Sequence, residues 1–158
     1  MKMNIGGLVL GVIILFFGLV VIPIYGIGII QWSNDSYIIQ NAGRNLLDMV
    51  IDNGYVTDKA ITDINLDLAG CYGTYTYRYY REEKVTEPKL DDMGNEIGGE
   101  STTTWLQVQV TDDTIWRTGD ICTVVIEQQG SNLFQRIAMS FLGGSFNNIE
   151  IRVAGMVR

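Results

Sequence analysis

The chain has 158 residues, 18 of them acidic and 11 basic, a formal net charge of −7 and no histidine. This acidic balance argues against nucleic-acid binding, which needs a basic surface. Because histidine is the commonest general base and a usual ligand of catalytic zinc, we expect no enzymatic activity, no metal site and no cofactor.

The first element is an uncharged run of 26 residues, from Ile5 to Ile30. A bilayer core of about 30 Å requires roughly 20 apolar helical residues, so the run is long enough to span it. Export signals have a shorter apolar region and end in an Ala-x-Ala-like cleavage site, which is missing after this run. The sequence therefore predicts a retained transmembrane helix over residues 1–30, in contact with membrane lipid.

The flanking charges predict how this helix is oriented. Lys2 precedes the apolar run, whereas the first charge after it is Asp35 and the first basic residue after it is Arg44. Basic residues favour the cytoplasmic side of a membrane. We therefore expect a single-pass protein of the cell membrane whose residues 31–158 form one extracytoplasmic α+β domain, a length sufficient for a sizeable core.

Three glycines in the apolar run share one side of the helix. At about 100° per residue, Gly7, Gly11 and Gly18 lie within a stripe roughly 40° wide. Such a stripe lets another helix approach closely in lipid, which predicts self-association. The alternative is that glycine is simply frequent in membrane helices. Pro23 removes one helical hydrogen bond and is expected to kink or loosen the helix near Leu19.

Two helical patterns follow the membrane segment. Residues 34–52 continue the rod as an amphipathic helix that ends at Asn53 and Gly54. A shorter helix follows, with Thr57 as its N-cap and Gly70 near its end. The apolar residues of the first of these helices recur at a spacing of three and four: Ile39, Ala42, Leu46, Met49 and Val50.

The pattern then changes to the period of two that is typical of strands. Residues 74–85 are rich in strand-forming residues and place Tyr75, Tyr77 and Tyr79 on one face. Residues 86–100 contain proline, several glycines and many charges, which predicts a loop with a mobile centre. The same reading predicts strands over residues 102–110, 121–128 and 148–158, and a helix that starts near residue 132 and stops at Gly143–Gly144.

These elements predict an α+β fold. The long N-terminal helix, transmembrane and then amphipathic, is expected to pack on a roughly four-stranded, mostly antiparallel sheet. Two candidate sites remain open to alternatives. The tyrosines could form a binding stripe, although packing of the sheet is the favoured interpretation. Residues 91–96, of which Asp91, Asp92 and Glu96 are acidic, do not match the EF-hand pattern of a calcium site, so we interpret them as a solvated loop.

The two cysteines, Cys71 and Cys122, lack the spacing of metal ligands. In an oxidising compartment they could form a disulfide. Two buried free thiols are an equally good interpretation, since spacing alone cannot show that the two sulfur atoms meet.

The complete layout resembles the type IV pilin superfamily. Residues 41–54, 119–124 and 149–158 are most similar to the Tad-type minor pseudopilins, or TadE-like proteins. This resemblance implies a pilin-like fold, and subunits that sit in the membrane and then enter, or prime, an extracellular filament. It also implies that related pilin-like subunits associate through the N-terminal helix.

The chain departs from the pilin pattern at its beginning. Cleavage sites of prepilin peptidases resemble a glycine followed five residues later by glutamate. Here Val12 stands five residues after Gly7, and Gly11 stands five residues after Gly6. The glutamate that would pair with a neighbouring N-terminus is therefore missing.

Two functions are compatible with this reading. The first is a membrane-anchored, pilin-like structural subunit of an extracellular filament or of its assembly or secretion apparatus. The alternative is a single-pass, membrane-anchored extracytoplasmic binding module that does not polymerise, and that binds through the tyrosine face or the loop over residues 86–100.

Overall fold

The computed structural model describes residues 5–90, 93, 96–130, 132–141 and 149–158. Within them the chain forms one long N-terminal helical rod, two shorter helices and a sheet. The elements in chain order are α1 (Ile5–Phe16), a π-helical turn (Phe17–Val21), α2 (Ile22–Asn53), α3 (Asp58–Asp67), a 3₁₀ turn (Leu68–Gly70), β1 (Thr74–Leu90), β2 (Glu96–Val110), β3 (Ile121–Gln129), α4 (Leu133–Phe141) and β4 (Glu150–Met156).

The four strands form one antiparallel sheet in the order β2-β1-β3-β4. Tyr79 of β1 lies opposite Val110 of β2 on one side and opposite Val124 of β3 on the other. The predicted α+β fold, with a long apolar N-terminal helix and a four-stranded antiparallel sheet, is confirmed.

The C-terminal half of α2 packs on this sheet through the apolar face that the sequence predicted. Ile39, Leu46 and Val50 are fully buried there, because residues three and four apart lie on the same side of a helix. Gly43 brings the helix close to β4, since a Cβ at this position would lie 3.4 Å from the Cγ2 atom of Val153. The hydrophobic core therefore lies between α2 and the sheet.

Local capping ends α2 and begins α3 where the sequence predicted it. Gly54 adopts a φ of 73°, which an L side chain rarely tolerates, and its N–H donates to the Val50 carbonyl at 2.8 Å. The Thr57 hydroxyl accepts a hydrogen bond from the N–H of Ala60 at 3.0 Å. These two caps set the tight reversal between α2 and α3.

The prediction of a loop over residues 86–100 is wrong for residues 86–90 and 96–100, which belong to β1 and β2. Thr86 pairs with Thr103 and Pro88 pairs with Ser101, so β1 and β2 extend as a two-stranded ribbon beyond the rest of the sheet. Proline is tolerated because β3 pairs with β1 only as far as Arg81, which leaves the ribbon with a free edge. Residues 91, 92, 94 and 95, which include the acidic Asp91 and Asp92, lie outside the described residues.

The connection between β2 and β3 is fastened to the sheet by Arg81. Its guanidinium donates to the Ile115 carbonyl at 2.7 Å, lies 5.0 Å from the centre of the buried Trp116 ring and pairs with Asp120 at 3.3 Å. Asp120 also accepts the Arg117 N–H at 2.9 Å, as expected for aspartate in a turn. Arg81 therefore holds the turn that precedes β3 against the sheet.

The last strand, β4, alternates as predicted. Its half-buried side chains, Ile151 and Val153, pack against the core, while Glu150 and Arg152 are exposed. The helix predicted near residue 132 is α4, and its predicted stop at Gly143–Gly144 lies outside the described residues.

Candidate functional site at the N-terminal helix

Every residue from 6 to 20 of the helical rod is exposed. The helix from Gly6 to Asn53 is long and apolar enough to cross a membrane, and it is the one such helix among the described residues. Its most apolar window of 18 residues has a mean hydropathy of 2.9, and none of it is buried. Side chains such as Leu15 and Leu19 keep more than 60% of their surface exposed. This surface requires a partner, because so large an apolar patch is unfavourable in water.

The glycine stripe of this segment is not required by packing within the chain. A Cβ added at Gly7, Gly11 or Gly18 would meet no atom within 4 Å. Gly155 in β4 is different, since a Cβ there would lie 2.8 Å from the Cδ1 atom of Ile51. The core therefore explains Gly155 but offers no reason for the three glycines of the stripe.

The helical geometry changes close to Pro23. A π-helical turn spans Phe17–Val21, and α2 starts immediately after it, with Pro23 in its first turn. The N–H of Ile22 donates to the carbonyl of Phe17, five residues earlier, in place of the usual spacing of four. The turn therefore coincides with Leu19, near which the sequence predicted a loosened helix.

A polar clamp joins α4 to α2 just after the apolar run ends. The Gln135 side-chain amide donates to the carboxylate of Asp35 at 2.9 Å, and both side chains are buried. The Asn132 amide donates to the side-chain oxygen of Gln31, also at 2.9 Å. The clamp, defined as Gln31, Asp35, Asn132 and Gln135, holds α4 against α2 at the level where polar residues first occur.

The sequence carries one local signal of the clamp, which our predictions did not include. Asn132 and Gln135 cap the start of α4 reciprocally: the N–H of Gln135 donates to the Asn132 side chain at 2.8 Å, and the N–H of Asn132 donates to the Gln135 side chain at 3.0 Å. This capping-box spacing is visible in the sequence. Its contact with Asp35, a hundred residues away, is not.

The suggested disulfide between Cys71 and Cys122 does not form, and both are free thiols. Cys122 lies seven residues from Gln129 along β3, a distance of about 23 Å. Gln129 pairs with Thr74, only three residues after Cys71, and three residues span at most about 11 Å. The two cysteines therefore lie toward opposite ends of β3, which accounts for their being free thiols.

Each thiol is made less acidic by its surroundings. Burial, assisted by the nearby Asp35 carboxylate, raises the pKa of Cys71 from 9.0 to about 11. Burial raises the pKa of Cys122 to about 12, with the Arg81 charge acting in the opposite direction. Both groups are therefore protonated, and poor nucleophiles, at neutral pH.

Raising the pH above about 9 is expected to lower the stability of the folded α+β domain that follows the apolar run. Unfolded thiols ionise near 9.0, whereas the folded thiols hold their protons until about 11 and about 12. The unfolded chain therefore releases these protons first. The contribution of the two thiols to the free energy of unfolding is fully present below pH 9, and it is lost as the pH rises toward and through the folded pKa values.

The measurement is the midpoint of urea unfolding at about pH 8 and about pH 10.5. The substitution Cys71→Ser is the matched control and should weaken the dependence on pH. A midpoint that stays constant or rises over this range would contradict the expectation.

A cleft of about 350 Å³ lies on the same side of the sheet as α3. Its lining includes Ile61 of α3, Tyr79 of β1 and Asp112 of the loop after β2. Burial, together with the Asp112 charge, raises the pKa of Tyr79, and in the described part of the chain its buried hydroxyl has no hydrogen-bond partner. Tyr75, Tyr77 and Tyr79 pack with the core, so they do not form a free binding stripe.

The described residues hold no group of three or more metal-binding side chains. Their most prominent features are the uncovered apolar helix and the polar clamp where that helix meets the folded domain. Comparisons with models of protein families, with curated proteins and with solved structures found no match for this chain.

Proposed function

We propose that this chain is a membrane-anchored, pilin-like structural subunit of an extracellular filament or of its assembly or secretion apparatus. One observation carries the proposal: a single helical rod is bare and apolar in its first half and is built into a folded α+β domain in its second half. A subunit with this division can pass from lipid into a bundle of similar helices without refolding its outer domain.

In this proposal the apolar surface of the rod exchanges one apolar environment for another during assembly. Lipid covers the bare half of the rod before assembly, and the equivalent half of neighbouring subunits covers it afterwards. Close approach between helices favours small side chains, which the stripe of Gly7, Gly11 and Gly18 supplies. The acidic outer domains remain in water on the extracytoplasmic side.

The second candidate function is a monomeric binding module held by an ordinary anchor. The cleft beside Tyr79 and Asp112 is the observation that favours it. The two candidates differ in one property: a structural subunit associates with its own kind or with related subunits through the membrane helix, and a binding module does not.

The first test is isolation of surface filaments and membrane complexes without detergent, followed by mass spectrometry. The chain is expected in the filament fraction or in an assembly complex. Its absence from both would reject the proposal.

The second test is the double substitution Gly7→Ile and Gly11→Ile in the full-length chain. Two branched side chains on the stripe should keep the helices apart, and about a tenfold loss of association corresponds to about 1.4 kcal/mol. Energy transfer between labelled copies in lipid vesicles measures this loss.

The control substitution is Val9→Ile, on the opposite side of the same helix, at about 200° from Gly7. It adds a methyl group without touching the stripe, so association should stay at the wild-type value. Equal losses from both variants would show that the stripe is not the contact, and full association of the glycine variant would show the same.

A further inference from the structure

At the start of helix α4 two apolar side chains are exposed and a polar one is buried. Leu133 is 66% exposed and Phe134 is 37% exposed, with Ile137 half-buried beside them. At about 100° per residue these three lie within an arc of about 100°. The polar Gln135 is instead 3% exposed, because it faces α2 and bonds Asp35. A helix at a protein–water surface normally has the opposite arrangement.

The position of α4 along the rod accounts for this inversion. Asn132, immediately before α4, bonds Gln31, the first residue after the apolar run. The 26-residue run is about 39 Å long as a helix, and the hydrocarbon core of a bilayer is about 30 Å thick. A rod that spans the core therefore places Gln31, and α4 with it, at the level of the lipid headgroups.

The residues beside Leu133 on α4 are also suited to the level of the lipid headgroups. Arg136 and Ser140 are exposed on one side of Leu133. An arginine beside an apolar face can lay its stem along the acyl boundary and place its guanidinium among the phosphates. The start of α4 thus presents Leu133 and Phe134 to its surroundings beside the basic Arg136, and turns Gln135 toward α2.

We propose that α4 is an interfacial helix, which inserts Leu133 and Phe134 into the boundary between headgroups and acyl chains of the outer leaflet. This second membrane contact rests on the proposed membrane anchoring of the rod. Together with the clamp, it fixes the orientation of the outer domain relative to the membrane, because a rod held at one point can pivot and a domain held at two points cannot.

The test uses the full-length chain in phosphatidylcholine vesicles that contain nitroxide-labelled lipids. The environment-sensitive fluorophore nitrobenzoxadiazole is attached to a cysteine introduced by Leu133→Cys, Leu66→Cys or Ile14→Cys. Each site is exposed, at 66%, 69% and 64%. The background is Cys71→Ser, and the remaining thiol, Cys122, is fully buried.

The label at position 133 should be quenched by the lipids, at a depth of about 5–10 Å into the headgroup boundary. The label at position 66, on α3, should not be quenched, and the label at position 14, within the apolar run, should be quenched deeply. If the labels at positions 133 and 66 behave alike while the label at position 14 is quenched, the interfacial role of α4 is refuted and the anchor stands. If the label at position 14 is not quenched, the rod does not lie in the bilayer, and both proposals fail.

Discussion

Replacing Leu46 with alanine is expected to lower the free energy of unfolding of the folded α+β domain by about 2–5 kcal/mol. Leu46 lies on the face of α2 that covers the sheet and is fully buried in the core. Truncation removes its apolar contacts and leaves a cavity that neighbouring side chains fill only in part. Urea unfolding in mild detergent, followed by tryptophan fluorescence, measures the loss, since Trp116 is buried in the same core.

The matched control is Leu66→Ala on α3, where the side chain is 69% exposed. This change removes the same atoms from a site in contact with water, so the expected effect is within about 0.5 kcal/mol. Comparable losses at the two positions would show that Leu46 is not buried between α2 and the sheet.

The substitution Gln135→Leu is expected to cost about 1–3 kcal/mol and to release α4 from α2. It leaves the Asp35 carboxylate buried without the 2.9 Å hydrogen bond that the Gln135 amide donates. It also removes one half of the cap at the start of α4, since the Gln135 side chain accepts the Asn132 N–H. Hydrogen exchange over α4, together with urea unfolding, measures both effects.

Two variants make this prediction decisive. Gln107→Leu makes the same chemical change at an exposed position of β2 and should be close to neutral. The double variant Asp35→Leu with Gln135→Leu should recover much of the loss, because removal of both polar partners leaves no buried acceptor unsatisfied. A double variant less stable than Gln135→Leu alone would show that Asp35 has a different role.

The local spacing of apolar, capping and turn residues was sufficient to predict the helices and most of the strands. The spacing of Ile39, Leu46 and Val50 predicted the face of α2 that packs on the sheet. Gly54 and Thr57 marked the reversal between α2 and α3. These signals are reliable because helical periodicity and capping depend on residues only a few positions apart.

The loop predicted over residues 86–100 was wrong for most of that segment because its composition is typical of a loop while its residues pair as strands. Proline, glycine and charge are typical of a loop. In the structure, however, this segment pairs with the threonines that precede Trp105. Pairs such as Thr86 with Thr103 continue the hydrogen bonding between β1 and β2. A strand of a ribbon exposed on both faces needs no apolar alternation, so the usual signal of a strand was missing.

By itself, then, the sequence determined the uncharged 26-residue run, the amphipathic helix that follows it and the strands that pair beside Tyr79. Only the tertiary structure decided the strand order β2-β1-β3-β4, the separation of Cys71 from Cys122 and the clamp between Asp35 and Gln135. The reason is physical: periodicity reports which face of an element is apolar, whereas the partner of that face is chosen by packing among residues far apart in the chain. For α4 the outward apolar face became visible only once the clamp had shown which side is held against the protein.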